Sequence, residues 1–317
     1  MEHTPNLASG PLRVLDLVGR TPLVELTRLA PKPGVRILAK LEGGNPSGSV
    51  KDRIVLAMVE SAERAGLLRP GDTIVEASTG NTAIALAMVG KQKGYRVRIV
   101  LPYGIVPSIP DLLTLYGAEL TWCEPEGGMR SVIETARAIA EQEGALALSQ
   151  FTDVSNVECH YHTTGLEIAE ALDRVDVFIA GIGTGGTIMG VGRRLRERFP
   201  NVRVVGVEPR LGERLQGLRS LEEGYLPPLL DLAALDGRYL VDSASAIAAA
   251  RTVIETEGVF AGVSSGATLH AARRVAERMD RGTIVVMFSD GGWKYLPARP
   301  WDATGAQAEA LDEVHWW

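Results

Sequence analysis

The chain has 317 residues, and its 33 Lys and Arg against 39 Asp and Glu leave a formal net charge of −6. That balance offers no basic footprint for nucleic acid. With 45% hydrophobic and 23% charged residues the composition is that of a folded protein, so disorder and fibrous repeats are excluded.

The length suits about two domains with a sizeable core. Two cysteines, Cys123 and Cys159, are too few for a secreted disulfide framework. The start, with Glu2, His3 and Pro5, lacks the basic and apolar regions of a signal peptide. No apolar run approaches the ~18 residues of a membrane span. A cytoplasmic protein is the expectation.

In chain order, helical periodicity predicts a helix over Val50 to Ala65, a strand over Thr73 to Glu76 and a helix over Thr82 to Lys93. A strand follows at Val97 to Leu101, then helices at Arg130 to Gln142 and Tyr161 to Leu172. The strands Val175 to Ala180 and Val202 to Val207 flank a helix over Ile188 to Arg198. A helix over Ala246 to Glu257, another through Leu269 to Met279 and a strand over Ile284 to Phe288 complete the series. The β-α alternation predicts parallel sheets, with ligands beyond the carboxyl ends of the strands. Leu101 to Asp111 and Pro209 to Asp236 are the least regular stretches, and the residues after Pro300 read as a tail.

Five loops can carry chemistry. Asn45 to Arg53 runs into a helix with Lys51 in its first turn; the helix dipole opposes a cation there and lowers the amine pKa, which suits a Schiff-base lysine. The plain alternative is an exposed lysine in a Lys-Asp-Arg run. Ser78-Thr79-Gly80-Asn81-Thr82 gathers hydroxyls, an amide and free N–H groups at a helix start, a cradle for a carboxylate rather than a simple cap.

Gly181-Ile182-Gly183-Thr184-Gly185-Gly186-Thr187 lies between a strand and a helix, where glycines let N–H groups approach a phosphate. Gly181, Gly183 and Gly186 also satisfy the dinucleotide G-x-G-x-x-G pattern, and Glu208 stands about 20 residues beyond, where a ribose-binding acid belongs. A nicotinamide-dependent oxidoreductase therefore competes on this loop alone. Gly262 to Gly266 opens a helix, and Ser289-Asp290-Gly291-Gly292 follows the last strand. Cys159, His160 and His162 lack the spaced second half of a zinc site, so no metal is expected there. His270 and Met279 are expected in helix packing or on the surface, and Cys123 at a strand edge.

Taken together, Gly19-Arg20-Thr21-Pro22-Leu23, the Asn-Pro-x-Gly-Ser-x-Lys-Asp-Arg setting of Lys51, the segment Thr79 to Thr82, Gln150-Phe151, His160-Tyr161 with Thr163-Thr164-Gly165, and the Gly183 to Thr187 turn resemble the cysteine synthase family of fold type II pyridoxal-phosphate enzymes. The resemblance runs from about Val14 to Leu296. It implies an α/β protein of two doubly wound domains with the cofactor in the cleft between them. The larger domain would comprise 1–43 plus 150–317, and 44–149 would form a smaller mobile domain. It further implies that Lys51 forms the internal aldimine, that Gly183, Thr184, Gly185, Gly186 and Thr187 hold the cofactor phosphate, and that Ser264 faces the pyridine nitrogen. Asn81 would contact the ring hydroxyl, Ser78, Thr79, Thr82 and Gln150 the substrate carboxylate, and Cys159, His160 and His162 would fall at a helix start.

A serine hydroxyl at Ser264 cannot keep a pyridine nitrogen protonated, so the electron sink is weak and β-elimination is favoured over transamination. Lys51 is the natural base for the Cα proton, and a nucleophile would add to an aminoacrylate.

Glu208 to Gly212, Gly217 to Gly224 and Asp290 to Leu296 look like the O-phosphoserine-dependent branch, in which an arginine at the Arg219 position reads the substrate phosphate. By sequence alone Arg219 is equally a surface arginine. The same branch takes sulfur from a small carrier protein with a C-terminal thiocarboxylate, and the family implies a homodimer. The tail ending Glu313-Val314-His315-Trp316-Trp317 is expected to dock on a cleft.

Two departures stand out: Ser78-Thr79 replaces the family's Thr-Ser order, and Pro107-Ser108-Ile109-Pro110-Asp111 replaces a Ser/Thr-x-Glu-Arg-Arg helix start, removing N–H donors. The expected activity is L-cysteine formation from O-phospho-L-serine or O-acetyl-L-serine. Its alternatives are β-replacement yielding cystathionine or 2,3-diaminopropionate, the oxidoreductase above, and a catalytically silent binding partner.

Overall fold

The computed structural model describes residues 11–105, 108–124, 128–213 and 215–297. The signal-peptide reading of the first residues, Pro107, and the Glu313 to Trp317 tail lie outside the described residues.

Two short strands, β1 (Leu23–Glu25) and β2 (Val35–Leu41), pair antiparallel and precede α1 (Lys51–Arg64). The next segment alternates β3 (Thr73–Ala77), α2 (Asn81–Lys93), β4 (Arg96–Pro102), α3 (Ser108–Tyr116), β5 (Glu119–Cys123), α4 (Gly128–Glu143) and β6 (Leu146–Ala147). Its strands form one parallel sheet in the order β5-β4-β3-β6. After α5 (Ser155–His162) and α6 (Thr164–Ala171) come β7 (Val177–Gly181), α7 (Gly186–Arg198), β8 (Arg203–Pro209), β9 (Gly237–Val241), α8 (Ser243–Glu257), α9 (Val263–Glu277) and β10 (Gly282–Phe288). They join the first hairpin in a sheet ordered β1-β2-β10-β7-β8-β9, parallel except at β1.

Strands buried on both faces read as continuous aliphatic runs rather than alternating ones. β10 illustrates this: Ile284, Val286 and Phe288 pack with α8 and α9 residues on one face, while Val285 and Met287 join Phe178, Ile188 and Val191 on the other. In the four-stranded sheet Ile74 and Ile99 face α1 and α2, and Val75 and Val100 face α4. α1 buries Ile54, Met58 and Ala62 as one stripe beside Val55 and Val59, spaced as one face of a helix. α2 is buried from Thr82 to Gly90, as befits a helix held between layers.

The observed elements differ from the sequence reading at three points. The helix expected over Tyr161 to Leu172 is two helices, broken at Thr163 (φ −118°, ψ −80°), whose hydroxyl donates to the Cys159 carbonyl at 2.7 Å. The Thr163 N–H donates to the same carbonyl at 2.9 Å, so the break lies in the backbone angles of Thr163 and not in a lost hydrogen bond. Cys159, His160 and His162 therefore sit at the end of α5, not at a helix start. β1, β2, β5, β6 and β9 were not predicted. β1, β5, β6 and β9 are short edge strands whose pairing, not their composition, makes them strands, whereas β2 is a seven-residue strand between β1 and β10. Cys123 closes the edge strand β5, as expected. Pro110 is tolerated because it falls in the first turn of α3, where backbone N–H groups have no intrahelical partner.

Candidate active site

The start of α1 is clamped from below. Arg53 is buried between Glu42 (Nε to Oε2, 2.6 Å) and Glu167 (Nη1 to Oε1, 2.6 Å), and Lys40 reaches Glu167 at 2.6 Å. Thr21 donates to Glu42 at 2.6 Å, which accounts for the Gly-Arg-Thr-Pro motif near the N-terminus. Cys159 donates to the Arg53 carbonyl. The first residue of α1 is Lys51, two positions from this clamp, and its side chain opens onto a cleft.

One wall of that cleft is Ala77, Ser78, Gly80, Asn81 and Thr82, the β3 to α2 turn. Facing it are Gly183 and Thr184, with Gln216 to Arg219 lying over them and Gln150-Phe151 and Lys294 alongside. Of the thirteen candidate residues, the fold brings Lys51, Ser78, Asn81, Thr82, Gln150, Gly183, Thr184 and Arg219 to this one cleft. Thr79 is buried between two lining residues, while Gly185, Gly186 and Thr187 continue the turn into α7. Ser264 is buried in the first turn of α9 and does not line the cleft wall.

The glycine-threonine turn has the build of a phosphate cradle. Among the described residues the N–H groups of Gly183, Thr184 and Gly185 donate to no protein acceptor, and the first turn of α7 adds further unpaired donors. A Cβ at Gly183 would sit 2.7 Å from the Gly217 carbonyl, and one at Gly186 would overlap the Asn156 side chain at 1.8 Å. Gly185 holds φ +88°, where a side chain is strained. Asn156 fastens the turn by donating to Thr184 Oγ1 (3.0 Å) and to the Gln150 carbonyl (2.8 Å). Thr187 pairs with His160 Nε2 at 3.1 Å, and burial with the nearby Arg53 and Lys51 charges keeps that imidazole neutral. These donors, opposite a lysine, fit a phosphorylated aldehyde.

The electrostatics suit the lysine. Its amine is pushed down to about 8, first by desolvation, then by the Lys294 charge, with Asp290 opposing. Asp290, in the loop after β10, was noted in the sequence without a role. Its Oδ2 accepts from Asn81 Nδ2 at 2.8 Å and from Tyr295 at 3.0 Å and pairs with Lys294, whose amine also donates to Asn81 Oδ1. Its backbone bridges Ser49 and accepts from Gly262. One residue thus ties the starts of α1, α2 and α9 together, α2 through its carboxylate and the other two through its backbone. Local sequence shows no such hub, because its side-chain partner Asn81 is 209 residues away and Ser49 farther still.

Glu208 is fully buried, accepting from the Leu221 N–H at 2.6 Å and from Arg238 at 2.9 Å. Both oxygens serve the chain, so no acid is left to bind a ribose beside the Gly181 loop.

Residues 14–290 match the sequence profile of the family described as pyridoxal-phosphate dependent enzyme. The chain belongs to that family. It is similar to cysteine synthase B of Pseudomonas aeruginosa, with 39% identity over 290 residues that cover 91% of this chain and 97% of the relative. It is 38% identical to a cysteine synthase of Staphylococcus aureus over 293 residues, 89% of this chain and 94% of that one. Among solved structures it superposes on an O-ureido-L-serine synthase with a TM-score of 0.88 and 37% identity, covering 95% of this chain and 99% of the other. The cysteine synthase of Entamoeba histolytica gives a TM-score of 0.87 at 31% identity, covering 99% and 98%. The fold is that of the fold type II pyridoxal-phosphate enzymes, and pyridoxal phosphate is the cofactor.

Proposed function

We propose that this enzyme makes L-cysteine by replacing the β-substituent of an activated serine, with O-phospho-L-serine preferred over O-acetyl-L-serine. The observation that carries the donor preference is Arg219. Its guanidinium lies 4.9 Å from the Phe151 ring centroid and 5.2 Å from that of Tyr225, and no carboxylate of the described residues is within ion-pair distance. Burial lowers its pKa and the fields of Tyr225 and Glu223 oppose this only in part, so the chain bears a desolvation cost there that an acetyl ester does not offset. A phosphate dianion does, because the guanidinium fork donates bidentately.

Pyridoxal phosphate, when bound, supplies an electron sink for the pair left on Cα. Its phosphate arm would be held by the Gly183 to Thr187 turn, its ring hydroxyl by Asn81 and its pyridine nitrogen by Ser264. The substrate carboxylate is received by Ser78, Thr79, Thr82 and Gln150. Lys51 as free amine takes the Cα proton, the Cβ–O bond breaks with its electron pair leaving on phosphate beside Arg219, and sulfur bonds to Cβ. Lys51 then returns the proton to Cα.

The sulfur comes as sulfide or from a carrier protein's thiocarboxylate. The reading extends to a cytoplasmic homodimer in which residues 44–149 move as the smaller domain.

A second reading follows from the likeness to the O-ureido-L-serine synthase: the nucleophile is other than sulfide. Steady-state assays with both donors test the first reading. Arg219→Ala is expected to lower kcat/KM for O-phospho-L-serine by about a hundredfold, the loss of a charge-assisted pair worth ~3 kcal/mol, and to leave O-acetyl-L-serine within about threefold. Equal losses on both donors would overturn it, and rates with hydroxyurea exceeding those with sulfide would favour the second.

A further inference from the structure

The carboxylate subsite has a titratable group behind it. Glu76 is the penultimate residue of β3, directly before the Ala77 and Ser78 of the cleft wall, is 5% exposed and does not line the cleft. Its Oε1 accepts from Gln150 Nε2 at 3.2 Å, and Gln150 Oε1 in turn accepts from the Thr82 hydroxyl at 2.9 Å. Its other oxygen, Oε2, is buried without a hydrogen-bond partner. A glutamate so placed is a poor structural choice, since an orphaned buried oxygen is destabilising and an apolar side chain would fill the position without it. What it does is fix an amide. With Oε1 turned toward Thr82 and one N–H toward Glu76, Gln150 keeps its second N–H free.

We propose that Glu76 is a positioning residue for substrate binding, holding the Gln150 carboxamide and the Thr82 hydroxyl in the orientation that receives the substrate α-carboxylate. This rests on the reading that Thr82 and Gln150 belong to that subsite. The arrangement works while Glu76 is the neutral acid, because an anion one hydrogen bond behind the subsite repels a second carboxylate. Desolvation pushes its carboxyl up to about 8, against the Gln150 hydrogen bond and the field of Arg137 on α4, which lower it. The flanking strands place Ile99 of β4 beside it, and β6 contributes Leu146 and Ala147. Substrate binding therefore weakens as pH rises through about 8.

The test measures Kd rather than turnover, by titrating the holoenzyme's visible spectrum with L-serine, which lacks a good leaving group, and with L-serinamide, which lacks the carboxylate. Glu76→Leu is expected to raise the L-serine Kd at pH 7 by about tenfold, the worth of one oriented hydrogen bond to a charged group, and to leave serinamide unchanged. Glu76→Gln keeps near wild-type affinity at pH 7 and loses the weakening above pH 8. Lys51 titrates in both proteins, so the difference between their profiles isolates Glu76. An unchanged L-serine Kd in Glu76→Leu, an equal rise for both probes, or a Glu76→Gln profile parallel to wild type would each overturn the proposal. If Glu76→Leu does not fold, the Glu76→Gln profile decides. Gln150→Ala separates the premise: should it leave L-serine affinity unchanged, the subsite assignment itself fails whatever Glu76 does.

Discussion

Lys294 sits where it can tune Lys51, and replacing it with methionine removes the charge while keeping most of the length. Two effects follow, both of one sign. The Lys294 ammonium no longer disfavours a second ammonium at Lys51, and Asp290 loses its cationic partner and attracts one. The Lys51 pKa must rise. From its value of about 8, roughly one amine in ten is free at pH 7; at the ordinary 10.5 only about 3 in 10,000 would be. The ratio, ~300-fold, is the ceiling on the loss, and desolvation, the largest cause of the shift, remains in the variant. The assay is the rate at which apo-enzyme develops a visible band after addition of pyridoxal phosphate, followed from pH 6 to 10. Wild type should show a midpoint near 8, Lys294→Met a higher one with slower capture at pH 7, and Lys294→Arg a restored profile. A midpoint that stays at about 8 or falls in Lys294→Met would refute the electrostatic account.

Other outcomes are equally specific. Lys51→Ala should purify without the visible band and stay colourless when pyridoxal phosphate is added. Gly186→Ala drives a methyl into Asn156, so denaturant unfolding should report a loss of about 1–3 kcal/mol, the usual cost of overpacking, together with weaker cofactor retention, since Asn156 fastens Thr184. Glu167→Gln leaves Arg53 and Lys40 short of their anion and should cost about 3 kcal/mol, the low end for a broken buried pair because Glu167 is 19% exposed. Arg53 and Lys40 outweigh burial and hold the Glu167 carboxyl down to about 2. Its contribution is therefore complete above the unfolded value of 4.5 and lost as pH falls toward 2, and Glu167→Gln should flatten that acid limb in thermal melts. Glu76 has the opposite sign: raised to about 8, it favours the native state below 4.5 and costs stability as pH rises from there to 8, so Glu76→Gln should gain on wild type above pH 8.

Local sequence was enough for the long buried strands and the helices between them, because aliphatic runs and helical periodicity are short-range signals. The glycine-threonine turn was legible for the same reason: a Gly-rich segment between a strand and a helix can present only N–H groups. The lysine's place at a helix start also came from its neighbours in the chain. What sequence left open was which loops meet. A G-x-G-x-x-G pattern with an acid downstream reads equally as a dinucleotide site. Only the packing of Glu208 against Leu221 and Arg238 removes that acid from ligand binding. Likewise Arg219 reads as a surface arginine until Phe151, 68 positions earlier, is found against it.

The sequence by itself determined the chemistry available: an amine, a phosphate-sized ring of N–H donors, and hydroxyls and amides for a carboxylate, each encoded within a few consecutive residues. Tertiary structure alone decided the charge states and orientations that make those groups useful. Lowering the Lys51 amine takes burial and the field of Lys294, 243 positions away, and the Gln150 carboxamide is bonded to Glu76, 74 positions away. Such through-space terms depend on distances of a few ångströms between residues that the chain holds far apart, and no local pattern encodes them.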